Sequence, residues 1–549
     1  MPRHADASSR TIATHDVLNQ PSPRVEVDEY ALNPALREAV ATFAPAGDHR
    51  ELHDIGAYVG SAWYQDAARL ANTITPVLRT HDRWGHRIDE IEFHPAYHAV
   101  MEYSISQGLH TSAWAEPGPV ANVTRAAGFY LVSQIEPGHG CPVSMTHAVL
   151  PALRHEPFLA AAWEPMLLSR AYDPTLADPL TKAGVTFGMA MTEKQGGSDV
   201  RANTTTATPA WDSTYVLRGH KWFCSAPQSD AFLVLAQAPE GLSCFLVPHV
   251  LPGGQRNPFF IQRLKDKLGN KSNASSEIEL DGTVGWLVGE EGRGVSTILE
   301  MVNRTRLDCV IGAAAGMRQG VAEAAWHVRE RAAFGAVLVD QPAMRAVLAD
   351  LHLEAEAATW TAMALAAAHD DENQADWRRI ATAVAKYWVC KRGPHHAYES
   401  LECLGGNGYT ESFPLARRYR EQPVLAIWEG SGNVIALDVL RALAREPEAA
   451  AAFEAGLAAQ RGWHPLYDTH LDRVRSLLRQ VTADPESAAA QARRVVEALA
   501  LALQASLLLE HAPATVAEAY CLTRLGDDRA LQYGARPDGV DLAALIDRA

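Results

Sequence analysis

Glu429 is the side chain best placed to do chemistry. It lies between an apolar run, Ala426-Ile427-Trp428, and a small flexible turn, Gly430-Ser431-Gly432-Asn433. Most glutamates stay solvated and ionised and do nothing more. An apolar flank disfavours the charged form and lifts the pKa toward the range a general base uses. Removing a proton beside a carbonyl needs such a base, and also a second group to take a hydride. No metal-ligand cluster and no nucleophile triad is visible elsewhere in the chain to supply other chemistry.

Four further segments can hold a cofactor. Met189-Ala-Met191-Thr192-Glu-Lys-Gln-Gly196-Gly197-Ser198-Asp199 ends a β-like run in a glycine pair. Glycines let backbone N–H groups approach a ligand, and nearby hydroxyls donate to phosphate or ring oxygens; the plainer reading is a turn leaving a strand. Lys221-Trp222-Phe223-Cys224-Ser225 ends the next long strand. There Trp222 is either a bulky core residue or a plate behind an aromatic cofactor, two strands from the glycine turn. Arg331-Ala-Ala-Phe334-Gly335, with Gln341 beyond it, carries a guanidinium fork that either clamps a diphosphate or pairs with a surface carboxylate. Glu402-Cys-Leu-Gly405-Gly406-Asn-Gly-Tyr409 ends a helix in glycines, as a C-cap or as backbone brought close to a cofactor.

A chain of 549 residues has to divide these segments among several domains. Residues 1–30 are polar and proline-dotted and read as an extended arm. Helical spacing marks 34–43, 56–73 and 145–161, with loops at 117–119 and 137–142, so 1–183 is an arm and an α-helical domain. Over 184–289 the period changes to two and five short strands are predicted, which makes an antiparallel β-domain and not a βαβ unit. Over 290–446 long alanine- and leucine-rich helices return, 341–368 and 375–403 being long enough for a bundle. Pro447 opens a further helical segment, 447–549, clearest at 488–510. No 18-residue uncharged apolar stretch is present, so a membrane span is not expected. The N-terminus lacks a signal-peptide core, and the seven cysteines are scattered without a Cys-x-x-Cys spacing. That pattern fits reduced thiols in a cytoplasmic protein. A net charge of −16 argues against an overall basic protein but leaves room for a local basic patch.

Taken together and in this order, the segments resemble the acyl-CoA dehydrogenase superfamily over residues 30–445. More narrowly they resemble its AidB-like branch, the adaptive-response proteins linked to alkylation stress. The narrower likeness rests on Thr-Glu-Lys-Gln-Gly-Gly-Ser-Asp199, Trp428-Glu-Gly-Ser-Gly-Asn433, Thr14-His-Asp-Val-Leu-Asn-Gln-Pro21, His81-Asp-Arg-Trp-Gly-His86 and the added C-terminal segment. The resemblance implies a mainly α fold with a central antiparallel β-domain: an N-terminal α-domain, the β-domain, a four-helix bundle, and an extra helical C-terminal domain. It implies FAD as cofactor, held at the isoalloxazine by Met189, Met191, Thr192, Gly197, Ser198, Trp222, Phe223 and Cys224. Arg331, Phe334 and Gln341 would reach the FAD of a neighbouring subunit, so the assembly would be a homotetramer. Gly405, Gly406, Ile427, Trp428, Ser431 and Asn433 would complete the site, and Glu429 would take the α-proton of an acyl-CoA thioester as the β-hydride leaves for the flavin. Where the wider family has a glutamine before the glycine cluster and Arg-Asp before the catalytic turn, this chain has Glu402 and Arg420-Glu421. Thr305 stands where one sub-branch keeps its base.

In that branch the C-terminal domain is associated with double-stranded DNA. Residues 445–549 hold eleven arginines and no lysine against fifteen acidic residues, a net of −4. Arg473, Arg475 and Arg479, with Arg493 and Arg494, are the candidate phosphate contacts; the plainer reading is a solvated helix face. Three functions stay open: a weak acyl-CoA dehydrogenase that binds DNA non-specifically in an alkylation response, an ordinary metabolic acyl-CoA dehydrogenase, and a non-enzymatic FAD-stabilised scaffold.

Overall fold

The computed structural model describes residues 14–45, 47 and 49–549; the first 13 residues of the expected arm lie outside the described residues. The chain is mainly helical around a central β-domain. The first helix is Pro34–Phe43, with Asn33 capping the Leu36 N–H and Pro34 opening the first turn. The single helix expected over 56–73 is two, Arg50–Val59 and Ala62–Thr73. The break is at Gly60, where a Cβ would meet the Val27 carbonyl oxygen at 1.9 Å, and Ser61 caps the second helix. A hairpin of Val77–His81 and Arg87–Glu92, which the sequence reading missed, carries the 81–86 segment in its loop. The helix expected over 145–161 is also two, Gly140–Leu153 and Pro157–Leu167.

Seven strands form the β-domain. Thr206–Pro209, Tyr215–Ser225, Ser275–Leu287, Gly241–Pro248 and Ala231–Ala238 pair in a path that returns on itself, with Phe259–Leu264 along Ser275–Leu287. The sheet is mostly antiparallel, but Phe187–Ala190 lies parallel to Ala231–Ala238, Phe187 opposite Ala231. Its interior is Leu217, Phe232, Phe245, Ile261 and Ile278. A second core, containing Cys141, Met145, Phe187 and Met301, joins the outer face of the sheet to the helices.

The bundle is built on one helix of 37 residues, Gly294–Glu330, packed by Pro342–Ala367, Ala375–Glu402 and Pro414–Leu425. The C-terminal segment adds Pro465–Ala483 and Pro485–His511, and its residues Tyr467 and Leu499 belong to the same core as Trp360 of the bundle. Buried polar contacts tie these parts together: Arg125 of the N-terminal region meets Asp308 of the long helix at 2.9 Å. Glu421 accepts the Asn270 N–H of the β-domain at 2.8 Å. Glu421 is thus an interior strut between β-domain and bundle. No helix among the described residues is long and apolar enough to cross a membrane.

Candidate active site

Glu429 sits in the turn between Pro414–Leu425 and Gly432–Arg445. It is left-handed, φ +58°, followed by Gly430 at φ +116°. For a non-glycine residue that geometry costs about 1–3 kcal/mol and persists only when its surroundings enforce it. Two buried cations do so. Lys386 Nζ donates to the Trp428 carbonyl at 2.8 Å and to the Gly430 carbonyl at 2.5 Å. Arg306 Nε donates to the Glu429 carbonyl at 3.1 Å and its other arm reaches Asp438 at 2.9 Å. Three successive carbonyls are thereby fixed, and the Glu429 side chain turns inward.

Its Oε2 is sealed from solvent and has no hydrogen-bond partner, and the indole N–H of Trp428 beside it is buried and unpartnered as well. Burial pushes the Glu429 carboxyl above the ordinary range, against the pull of the Thr305 hydroxyl, Lys386 and Arg306. Both atoms are left with hydrogen-bonding capacity that a bound ligand can use.

Across the space in front of Glu429 lies Cys141, at the start of Gly140–Leu153, whose thiol feels the Glu429 charge and reaches Ser225 of the β-domain. The strand that ends at Ser225 brings up Trp222. The pairing of Tyr215–Ser225 with Ser275–Leu287 shifts register between Lys221 and Cys224, and this irregularity re-aims Trp222 and Phe223. The Trp222 backbone N–H then donates to the Thr192 carbonyl at 2.8 Å, so the tryptophan lies directly beside the glycine turn and not two strands away. Lys265 Nζ lies over the indole at 3.2 Å, with Arg263 at 5.8 Å and Lys194 at 6.0 Å from the same ring. Gly197 packs on Thr192 so closely that a Cβ there would meet Thr192 Oγ1 at 2.4 Å. Beneath the turn Glu193 and Lys221, both fully buried, pair at 2.8 Å. Glu193 also accepts the backbone N–H groups of Thr204 and Thr205. Burial alone would raise its pKa, but Lys221 and these donors hold it well below the carboxylate range.

The residues read from the sequence therefore fall into two groups. Thr192, Gly197 and Trp222 are in direct contact at the glycine turn, and Met189, Met191 and Trp428 share one core with Cys141, while Ser198, Phe223, Ile427, Glu429, Ser431 and Asn433 lie on the same segments. Met191 and Trp428 pack on the same core as Cys141, while Phe223, Ile427, Ser431 and Asn433 are solvent-facing. Cys224 departs from the expectation, because its side chain points into the interior of the β-domain and offers only its backbone. Arg331, Phe334, Gln341, Gly405 and Gly406 are not brought to Glu429 within this chain. Arg331 follows the end of the long helix, 25 residues after Arg306, a rise of about 37 Å. Leu404, next to Gly405, shares a cleft with Trp326 and His327 at that same far end. Arg331 donates to the Asn19 carbonyl, Gln341 Nε2 to the Ala333 carbonyl at 3.1 Å, and Phe334 is 99% exposed with φ +53°.

Sequence reasoning missed Lys386 and Cys141. It also missed that Arg306 holds the Glu429 turn. Only the charge of Lys386 inside the apolar helical run 383–389 signalled it. Among the described residues no group of three or more His, Cys, Asp or Glu side chains can hold a metal, and all seven cysteines are buried and unbridged.

Of the arginines in the C-terminal segment, Arg473, Arg493 and Arg494 line one cleft of about 620 Å³ together with Arg529, which the sequence did not single out. Arg475 and Arg479 do not line it. Arg473 is paired with Asp527 at 2.6 Å, and Arg493 donates to Asn433 at 2.7 Å, tying this segment to the helix that follows the Glu429 turn.

Comparison with known proteins identifies the family. Residues 19–174 match the adaptive response protein AidB N-terminal domain, 188–283 the acyl-CoA dehydrogenase middle domain and 292–444 the acyl-CoA dehydrogenase C-terminal domain. AidB of Escherichia coli K12 is 42% identical over 517 residues, 93% of this chain and 94% of that protein. Caenorhabditis elegans ACDH-11, solved in complex with C11-CoA, superposes with TM-score 0.84 at 25% identity over 95% of each chain. The apo form of Bd2924 superposes with TM-score 0.83 at 28% identity, covering 90% of this chain and 100% of the other.

Proposed function

Because this chain belongs to the acyl-CoA dehydrogenase family, within its AidB branch, we propose that it oxidises an acyl-CoA thioester between Cα and Cβ. The cofactor is FAD. The observation that carries the reading is the inward Glu429 carboxylate whose Oε2 lacks any partner beside the equally unpartnered Trp428 indole. The Thr192–Gly197 turn with Trp222 would hold the isoalloxazine from the β-domain side, Trp428 from the bundle side, and Ser431 and Asn433 the dinucleotide beyond. FAD, when bound, supplies the hydride acceptor. Glu429 Oε2 takes the α-proton, the β-hydrogen departs with its electron pair, and an enoyl-CoA remains. Arg331, Phe334 and Gln341 would serve the flavin of a neighbouring subunit in a homotetramer. The distance between the two ends of the long helix supports this, as does a fully exposed phenylalanine in a left-handed conformation. The test is anaerobic mixing with C11-CoA and with isovaleryl-CoA: loss of the oxidised flavin band supports the reading, and an unchanged spectrum across short, long and branched thioesters overturns it.

The sign of the pH dependence follows from burial. A base protonated above the ordinary glutamate value of 4.5 is inactive there. The rate of flavin reduction is therefore expected to climb as pH rises through a value above 4.5, and a limb at or below it contradicts the burial argument.

The second half of the proposal is non-specific binding of double-stranded DNA in an alkylation response, supported by the adaptive-response family match and the arginine cleft. Affinity is then expected to fall linearly with the logarithm of salt concentration. Alanine at Arg473, Arg493, Arg494 or Arg529 should each flatten that slope by about 1, with smaller effects at Arg475 and Arg479. Fluorescence anisotropy of a labelled duplex across a salt series reads this, and no binding at low salt leaves thioester oxidation as the whole function.

A further inference from the structure

We infer that Lys386 is the fixed counter-charge of the Glu429 carboxylate, a positioning residue that both holds the catalytic turn and keeps the base ionised. The inference rests on Glu429 being the base and deepens that assignment. Helix Ala375–Glu402 carries Lys386 into the interior, 1% exposed. Its ammonium donates to the Trp428 and Gly430 carbonyls, which bracket Glu429, and among the described residues it pairs with no carboxylate. A buried ammonium with only neutral partners is expensive, because carbonyl dipoles replace part of its hydration but not an opposite charge.

The groups around the carboxyl leave one pairing. From the long helix come Arg306, Thr305 and Cys309, and from Gly140–Leu153 comes Cys141. Burial pushes the Cys141 thiol up to about 12 and Cys309 well above its ordinary value, so neither carries charge near neutrality. The Arg306 guanidinium is already engaged with Asp438 at 2.9 Å. Lys267, against Cys141, and Lys391, beside Gly432, make no ion pair among the described residues either. But of the two cations that act on the Glu429 carboxyl, Arg306 and Lys386, only Lys386 is left without a carboxylate, and Glu429 keeps an unpartnered oxygen. When Glu429 takes the substrate proton, the Lys386 charge is again unbalanced, which favours release of that proton and return to the ionised base.

The test compares wild type with Lys386→Met, Lys386→Gln and Lys386→Arg in FAD-loaded protein, reading thioester-dependent flavin reduction across pH. Lys386→Met removes charge and hydrogen bonds; Lys386→Gln keeps donors for the two carbonyls without charge. Both are expected to move the acidic limb upward by about one pH unit, a tenfold gain in proton affinity at Glu429. Lys386→Arg is expected to bring it most of the way back. A limb that stays in place while the rate falls equally at every pH assigns Lys386 to propping the turn alone and overturns the inference. If Lys386→Met does not fold, Lys386→Gln decides by the same readout. If neither neutral variant folds, the carboxyl stretch of Glu429 in the FAD-loaded Lys386→Arg protein, assigned by difference from Glu429→Gln, decides: a titration shifted by less than half a unit sustains the inference, and a larger shift overturns it. Wild-type flavin reduction in Glu429→Gln would remove the base assignment itself, a failure distinct from either outcome at Lys386.

Discussion

Glu429→Gln is expected to bind FAD as the wild type does and to lose thioester-driven flavin reduction by at least about 10²–10⁴-fold, the range a positioned general base contributes. The substitution is nearly isosteric, and the turn is held through its backbone carbonyls by Lys386 and Arg306, which the side-chain change leaves in place. What is removed is an ionisable, partnerless carboxylate oxygen on the Cys141 side of the turn. The fold should hold as well, since the wild-type carboxyl is itself buried at a cost that its raised pKa records. Stopped-flow absorbance under anaerobic conditions checks this, with the melting temperature as control. A variant reducing its flavin within tenfold of wild type would move the base elsewhere.

Lys221→Met is expected to destabilise the protein by about 3–5 kcal/mol, because it strands the Glu193 carboxylate in a dry interior. Both side chains of this pair are fully buried. Glu193 is the hub on which the Thr192 turn, Thr204 and Thr205 are hung. The same variant should therefore release FAD more readily. Denaturant unfolding and the flavin content after dialysis read the two effects. The sign with pH is fixed too. Glu193 titrates below the usual range when folded, so its contribution is present above the unfolded value of 4.5 and is lost as pH falls through the depressed folded value. Unfolding of wild type in acid should show this loss, and Lys221→Met should have most of it already at neutral pH.

The helices and strands that carry their own start and stop signals were legible in the sequence. Asn33 and Pro34 announce the first helix, and its bounds are those expected. The strands read over 215–223 and 232–236 lie within the observed Tyr215–Ser225 and Ala231–Ala238. The misread elements turn on non-local contacts or on quieter local signals. The 56–73 stretch breaks because Val27 must pass against Gly60, a contact between segments 33 residues apart. The break before Pro157 had its signal in that proline, which opens the next helix. The hairpin at 77–92 alternates between half-buried and exposed positions with no strongly apolar face to reveal it. In the site, Glu429 and the glycine turn were legible because each is a compact motif. Lys386 and Cys141 were not, since they act on residues 42 and 288 positions away, a relation that only the fold creates. The grouping of Arg331 with Gly405–Gly406 away from Glu429 follows from helix length, which the sequence reading did not carry through to distance.

Proton abstraction by the carboxylate at 429, coupled to hydride departure, is tested most directly with C11-CoA deuterated at the α-carbon. Rapid anaerobic mixing should reduce the flavin several-fold more slowly than with the protiated thioester, at a pH above the acidic limb, and the deuterium should wash out to solvent. Equal rates with no wash-out, or a flavin that no thioester reduces, would contradict it.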